Sequence, residues 1–456
     1  MRRTPFFLIV VLLCANLSLL AQPVQKRVES NPALSYAVLE SRDYGYRKLR
    51  NEGIETMARQ LDVLRVPIRP FKSIITGHIE RHHFVLNQGK KRVRKTTFRA
   101  ISFTYPSVAP NGEPVMLSGL VTFPVLPDNK PSRMLIYHRI LAPSYSMAPS
   151  NSLPFEAVLT ADNTICVFPD YYGCGVTEGK PLPFIALNYH AQCATDCALA
   201  ALKVVQDAGI ELADDFYTWN TGYSQGAGFA LATQRYVETA LADSLAKRIN
   251  LRWSLCGGGI YTPINLYEYA VLNREMGSTP MVFVQGLRSL FNGHKERMDT
   301  LSLDDFLSEK SMELGLDSIF NAYDDGLWDL SVQVERITES HDPADYFHPA
   351  TLDTTTALFH KLIEVFGLDD CVEKWHPQAP VVMYHSKNDN CIPYQLAVQA
   401  HRQLSDSTNQ CVLCAPRTNK SHVYTSVFFF AKLLRLNEDE LYKKYVIKQK
   451  GKQSNP

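Results

Sequence analysis

The sequence predicts an α/β fold: a mostly parallel central sheet flanked by helices, with a helical insertion late in the chain. Three observations carry this expectation. Apolar, β-branched runs recur along the chain, and helical stretches separate the later ones, as in a parallel sheet. The pentapeptide Gly222-Tyr223-Ser224-Gln225-Gly226 stands between one such run and a stretch of helix formers. Between Gly259 and Pro380 the alternation stops, and a long, mostly helical pattern takes over.

Residues 1–21 read as a signal peptide. Arg2-Arg3 precede the apolar run Phe6 to Leu13, and Leu19-Leu20-Ala21 puts a small residue before Gln22. Leu13 is bulky where a lipoprotein signal at Cys14 needs a small residue. The run is short and interrupted by Asn16, so no membrane span is expected in the mature chain. Residues 22–95 read as an N-terminal helical extension. Its pattern is amphipathic over 30–70 and ends near Pro67 and Pro70, and Lys90 to Lys95 reads as a solvated basic edge.

The core is expected over 96–260 and 379–456. Strand-like runs are Phe98 to Tyr105, Val115 to Phe123, Met134 to His138, Thr164 to Phe168, Phe216 to Gly222 and Leu251 to Cys256, followed by Val381 to His385 and Cys411 to Cys414. Tyr189 to Gln206, Ala227 to Arg248 and Val423 to Leu434 read as helices. The insertion, 261–378, offers Leu266 to Met276, Met281 to Phe291 and Leu303 to Phe320 as helices. Its aromatics include Trp328, Tyr346 and Phe347.

With 456 residues, 45% of them hydrophobic, the chain suits one large globular domain plus an insertion. A formal net charge of +1 gives no bias toward nucleic acid. Of 10 cysteines, Cys14 lies in the signal segment. Export permits disulfides among the rest, and spacing does not fix their pairing. Cys411 and Cys414 form a C-x-x-C, but on a strand they point to opposite faces, so they read as packing and not as a metal site.

The pentapeptide fits a nucleophile elbow, a strand-to-helix turn that lifts a serine hydroxyl above the sheet. A serine nucleophile needs a base, and the base needs an orienting acid. Asp389 lies just past the apolar strand Val381 to His385, in the loop Ser386 to Pro393. His422 lies between the last strand and the last helix. The other histidines near strand ends, His138 and His385, read as structural. Asp369 and Asp370 are alternative acids in a helix-like stretch, and Asp170 reads as fixing the turn after its strand. The Gln225 backbone N–H follows from the elbow as an oxyanion donor.

From about Thr96 to Leu434 the chain resembles an α/β-hydrolase, and within that fold the secreted lipase and esterase family. The resemblance is carried by Ala142-Pro143-Ser144-Tyr145, Val167 to Gly173, Gly222 to Gly228, His385 to Pro393 and Ser421-His422. It implies Ser224 as nucleophile, Asp389 as orienter, His422 as base and 261–378 as a cap over the site. It also implies a small-molecule or lipid ester as substrate and no cofactor. Many relatives carry His-Gly-X after the third strand, where this chain has His138-Arg139-Ile140. A donor near Arg139 is therefore the expected second oxyanion partner. A secreted peptidase with the same triad, or a non-catalytic binding protein on this scaffold, are the alternative readings.

Overall fold

A computed structural model describes residues 35–63, 68–86, 97–126, 130–139, 148–180, 182–277, 286, 293–298, 300–313, 340–406, 410–417 and 420–447. Its centre is a nine-stranded sheet in the order β1-β2-β3-β5-β4-β6-β7-β8-β9. The strands are β1 (Ala37–Gly45), β2 (Thr97–Val108), β3 (Pro114–Val125), β4 (Arg133–His138), β5 (Thr164–Pro169), β6 (Tyr217–Tyr223), β7 (Leu251–Gly257), β8 (Val381–Tyr384) and β9 (Cys411–Cys414). β4 to β9 run parallel to one another, and β1, β2 and β3 form an antiparallel edge that joins them through β3 and β5.

Burial on both faces explains why the central strands are near-continuous apolar runs. In β4, Met134 and Ile136 enter one core while Leu135 and Tyr137 enter the other. In β8, Val381 and Met383 face the first, and Val382 and Tyr384 the second. Cys411 and Cys414 likewise divide between the two cores, as the period of two requires. All nine described cysteines are buried thiols, with no disulfide among them.

On one face lie α3 (Leu187–Asp207), α4 (Gln225–Thr239) and the later helix α8 (Tyr394–Leu404). On the other lie α1 (Tyr46–Val63), α2 (Arg69–Leu86) and the later helix α9 (His422–Arg435). The helix expected over Ala227 to Arg248 is two helices. The N–H groups of Ala240 and Leu241 both turn back to Tyr236 O, and α5 (Asp243–Ile249) restarts with an acid in its first turn.

Each core strand read from the sequence is present within a few residues, and β1 is additional. Helix was expected over 30–70; Ala37–Gly45 is instead an edge strand, antiparallel to β2. Its side chains are exposed except Tyr44, so no burial period marks it. It is held by the ladder and by Asp43, whose carboxylate takes a two-pronged bond from Arg99 at 2.7 and 3.0 Å. Residues 1–21, the basic run Lys90 to Lys95, Ala142 to Tyr145 and Trp328 lie outside the described residues.

The described parts of 261–378 include α6 (Pro263–Asn273) and α7 (Ala357–Gly367). They are tied together by Met276 N to His341 O at 3.0 Å, Tyr267 OH to Thr351 O at 2.6 Å and a bridge between Leu307 and Phe347. Tyr346 and Phe347 are two of the aromatics of the insertion. Both are fully buried, and Phe347 packs on Tyr267 at 6.3 Å, so they fill the core of this segment.

Candidate active site

β6 leads into the sharp turn that holds Ser224. Its last residue is Tyr223, and α4 begins at Gln225, so Ser224 must turn the chain by itself. It does so at φ 57° and ψ −123°, a conformation side chains rarely adopt and one that costs about 1–3 kcal/mol. The surrounding backbone pins it there: Ser224 N donates to Gly257 O at 2.8 Å, and Ala227 N to Ser224 O at 3.0 Å. The flanking glycines are required by contact. A Cβ on Gly222 would stand 2.2 Å from Gly226 O, and one on Gly226 would stand 2.1 Å from His138 O.

β8 delivers the acid. His385 N continues the ladder to Cys414 O at 2.9 Å, and the chain then turns through Ser386 to Pro393. Asp389 Oδ1 accepts from Cys391 N at 3.0 Å and Ile392 N at 2.8 Å. Asp389 Oδ2 lies 2.7 Å from His422 Nδ1. Burial alone would push this carboxyl up. The His422 charge and hydrogen bond, with His385 and the Ile392 N–H, outweigh burial and hold it below the ordinary range.

β9 delivers the histidine. His422 is the first residue of α9, and its Nε2 lies 2.8 Å from Ser224 Oγ. Its backbone is fastened at both ends: His422 N donates to Asn390 Oδ1 at 3.0 Å, and Tyr223 OH donates to His422 O at 2.8 Å. Ser386 Oγ donates to Lys420 O at 2.6 Å, so the acid loop and the histidine loop are stitched together. Ser224, Asp389 and His422 thus follow the carboxyl ends of three parallel strands of the sheet, β6, β8 and β9, with β7 between the first two. With Asp389 accepting from Nδ1–H, the unprotonated Nε2 is the atom that faces the serine hydroxyl.

The other candidates go elsewhere. His385 Nε2 donates to Ile392 O at 2.8 Å and lies 3.6 Å from Asp389 Oδ2, behind the acid. Burial, only partly countered by Asp389 and Ile392, lowers its pKa, so it stays neutral. His138 is buried with Nδ1 2.6 Å from Tyr171 OH, and burial with His190 nearby takes it down to about 3. Asp369 binds His294 Nε2 at 2.8 Å, and Asp370 accepts from Val372 N and Glu373 N. Asp170 accepts from Ser118 Oγ and from Ser150 N at 3.0 Å, tying β3 to the turn after β5.

Gln225 opens α4 beside the serine, and its side chain donates to Phe184 O. Arg139 leaves the end of β4 with its guanidinium Nε 3.3 Å from Glu156 Oε2. Tyr223, Asn390, Ser386 and Phe184 were not singled out from the sequence. Tyr223 and Asn390 sit inside the two motifs, which is the one signal they give.

No protein-family model matches the sequence, and no curated protein matches it. Solved structures do match. A rice cell wall degrading esterase, LipA from Xanthomonas oryzae, superposes with a TM-score of 0.64 at 18% identity, over 91% of this chain and 100% of that one. The chain has the α/β-hydrolase fold. Candida antarctica lipase A superposes on this fold with a TM-score of 0.54 at 15% identity, over 74% of this chain and 78% of that one. No helix among the described residues is long and apolar enough to cross a membrane.

Proposed function

We propose that this protein is an exported serine hydrolase that cleaves carboxylic esters through an acyl-enzyme. One observation carries the reading: a single imidazole, His422, bridges Ser224 Oγ at 2.8 Å and Asp389 Oδ2 at 2.7 Å at the carboxyl edge of the sheet. Solved esterase and lipase structures of the same fold support it.

His422 Nε2 takes the Ser224 proton as Oγ attacks the ester carbonyl. Asp389 keeps the ring in the tautomer with Nδ1 protonated and stabilises the imidazolium. The oxyanion is held by the Gln225 N–H and by a backbone donor near Arg139. The imidazolium protonates the leaving alkoxide, and water, deprotonated by His422, then releases the acid. Residues 1–21 direct export and are removed. The segment 261–378 acts as a cap that selects the acyl or alcohol part and supplies no triad member.

The test is hydrolysis of nitrophenyl esters and aminoacyl nitroanilides, side by side, by the mature chain. Esters are expected to be cleaved and amides not. Equal or greater turnover of amides would make it a peptidase, and turnover of neither would leave a binding protein.

A further inference from the structure

A thiol stands beside the proposed triad. Cys391 Sγ, a ring nitrogen of His422 and a carboxylate oxygen of Asp389 all lie within 4.8 Å of one another. A tetrahedral zinc ion holds sulfur at about 2.3 Å and nitrogen or oxygen at about 2.0–2.2 Å, which spaces its ligand atoms roughly 3.3–3.7 Å apart. To reach that spacing the Asp389 and His422 atoms, 2.7 Å apart, open, and the thiol, within 4.8 Å of both residues' ligand atoms, closes on them. One thiolate, one imidazole and one carboxylate is also a donor set that zinc accepts, and Mg2+ or Ca2+ would not favour it. Among the described residues this is the only such group.

We propose that Asp389, Cys391 and His422 form an inhibitory site for Zn2+ and similar thiophilic divalent ions. The site is anchored before any ion arrives. Cys391 N and Ile392 N both donate to Asp389 Oδ1, so the second carboxylate oxygen is presented toward His422, and Asn390 Oδ1 fixes the His422 backbone. The ion displaces the hydrogen bond between Asp389 Oδ2 and His422 Nδ1 and takes both atoms as ligands, with the Cys391 thiolate third and a water fourth.

The protons balance as follows. The thiol loses one proton to solvent when the Zn–S bond forms. The imidazole keeps its single proton, which moves from Nδ1 to Nε2 because the metal now holds Nδ1. Inhibition follows from that move, since a protonated Nε2 has no lone pair to take the Ser224 proton. Binding rests on the geometry alone, while inhibition rests also on the proposed ester hydrolysis.

The two are tested separately. Zn2+ is titrated by calorimetry into the full chain carrying Ser224→Ala, which keeps all three ligands. One equivalent should bind with release of one proton, read from the dependence on buffer ionisation heat. Co2+ in its place should give a thiolate-to-cobalt absorption band. Adding Cys391→Ser, or Cys391→Ala as a second version, should remove the band and weaken binding at least about tenfold. In the enzyme with Ser224 intact, Cys391→Ser should lose at least tenfold in sensitivity to Zn2+, read against its own zinc-free turnover, and chelator should restore wild type. Equal zinc sensitivity in wild type and Cys391→Ser, or unchanged binding without the thiol, overturns the site. If the chain cleaves no ester, the calorimetry and the Co2+ band still decide the site, and the ester reading falls by itself.

Discussion

Replacing Asp389 by asparagine separates the orienting charge from the shape of the acid loop. Oδ1 of Asp389 accepts two backbone N–H groups, from Cys391 and Ile392. Only the carbonyl oxygen of an asparagine can take that place, so its NH2 is forced toward His422 Nδ1. Nδ1 must then accept, and the ring proton moves to Nε2, where it blocks proton transfer from Ser224. The same swap in a serine protease triad lowers kcat by about 10^4 with the geometry kept. At about 1.36 kcal/mol per factor of ten, that is roughly 5.4 kcal/mol of transition-state stabilisation. The assay is kcat and KM on a short-chain nitrophenyl ester, with circular dichroism to establish folding. The expected outcome is a fall of about 10^3 to 10^4 in kcat with little change in KM. Asp369→Asn and Asp370→Asn should keep kcat within about tenfold, because their partners are His294 and the Val372 and Glu373 N–H groups. A folded Asp389→Asn enzyme within tenfold of wild type would refute the assignment.

Three further outcomes are expected. Ser224→Gly should abolish turnover yet raise stability by about 1 kcal/mol in urea unfolding, since relief of about 1–3 kcal/mol of backbone strain exceeds the entropy cost of glycine; an unchanged or lower midpoint would mean that the strain is absent. Gly226→Ala should cost at least about 2 kcal/mol, because its Cβ would meet His138 O at 2.1 Å; a thermal midpoint equal to wild type would contradict the close approach. The His294–Asp369 pair should give a pH-dependent contribution. Burial lowers the His294 pKa, but the Asp369 charge and hydrogen bond raise it more. Stability from the pair is therefore present in full below the unfolded value, about 6.5, and is lost as pH rises through the folded value. His294→Gln should remove that loss, which sets in above about pH 6.5, and a variant with the same pH slope as wild type would contradict it.

The central strands were legible because both of their faces are buried, which leaves little freedom in residue choice, as in Met134 to Tyr137. The elbow was legible because Gly222 and Gly226 admit no side chain against backbone atoms, so steric need is written directly into the motif. The strand-loop positions of Asp389 and His422 were legible from apolar runs on either side. β1 was not: an exposed edge strand has no burial period, and its ladder with β2 joins residues distant in sequence. The place of Phe347 was not legible for a related reason. Aromatic content in an insertion does not say which ring faces a ligand and which fills the insertion's own core. The bonds from Tyr223 OH to His422 O and from His422 N to Asn390 Oδ1 join separate motifs, and no local pattern reports them.

The most direct test of the proposed chemistry is covalent labelling of the mature chain with a fluorophosphonate, followed by peptide mass spectrometry. One adduct is expected, on Ser224, absent in Ser224→Ala and strongly slowed in His422→Ala. An unlabelled, folded wild-type protein, or an adduct on another residue with Ser224 unmodified, would contradict it.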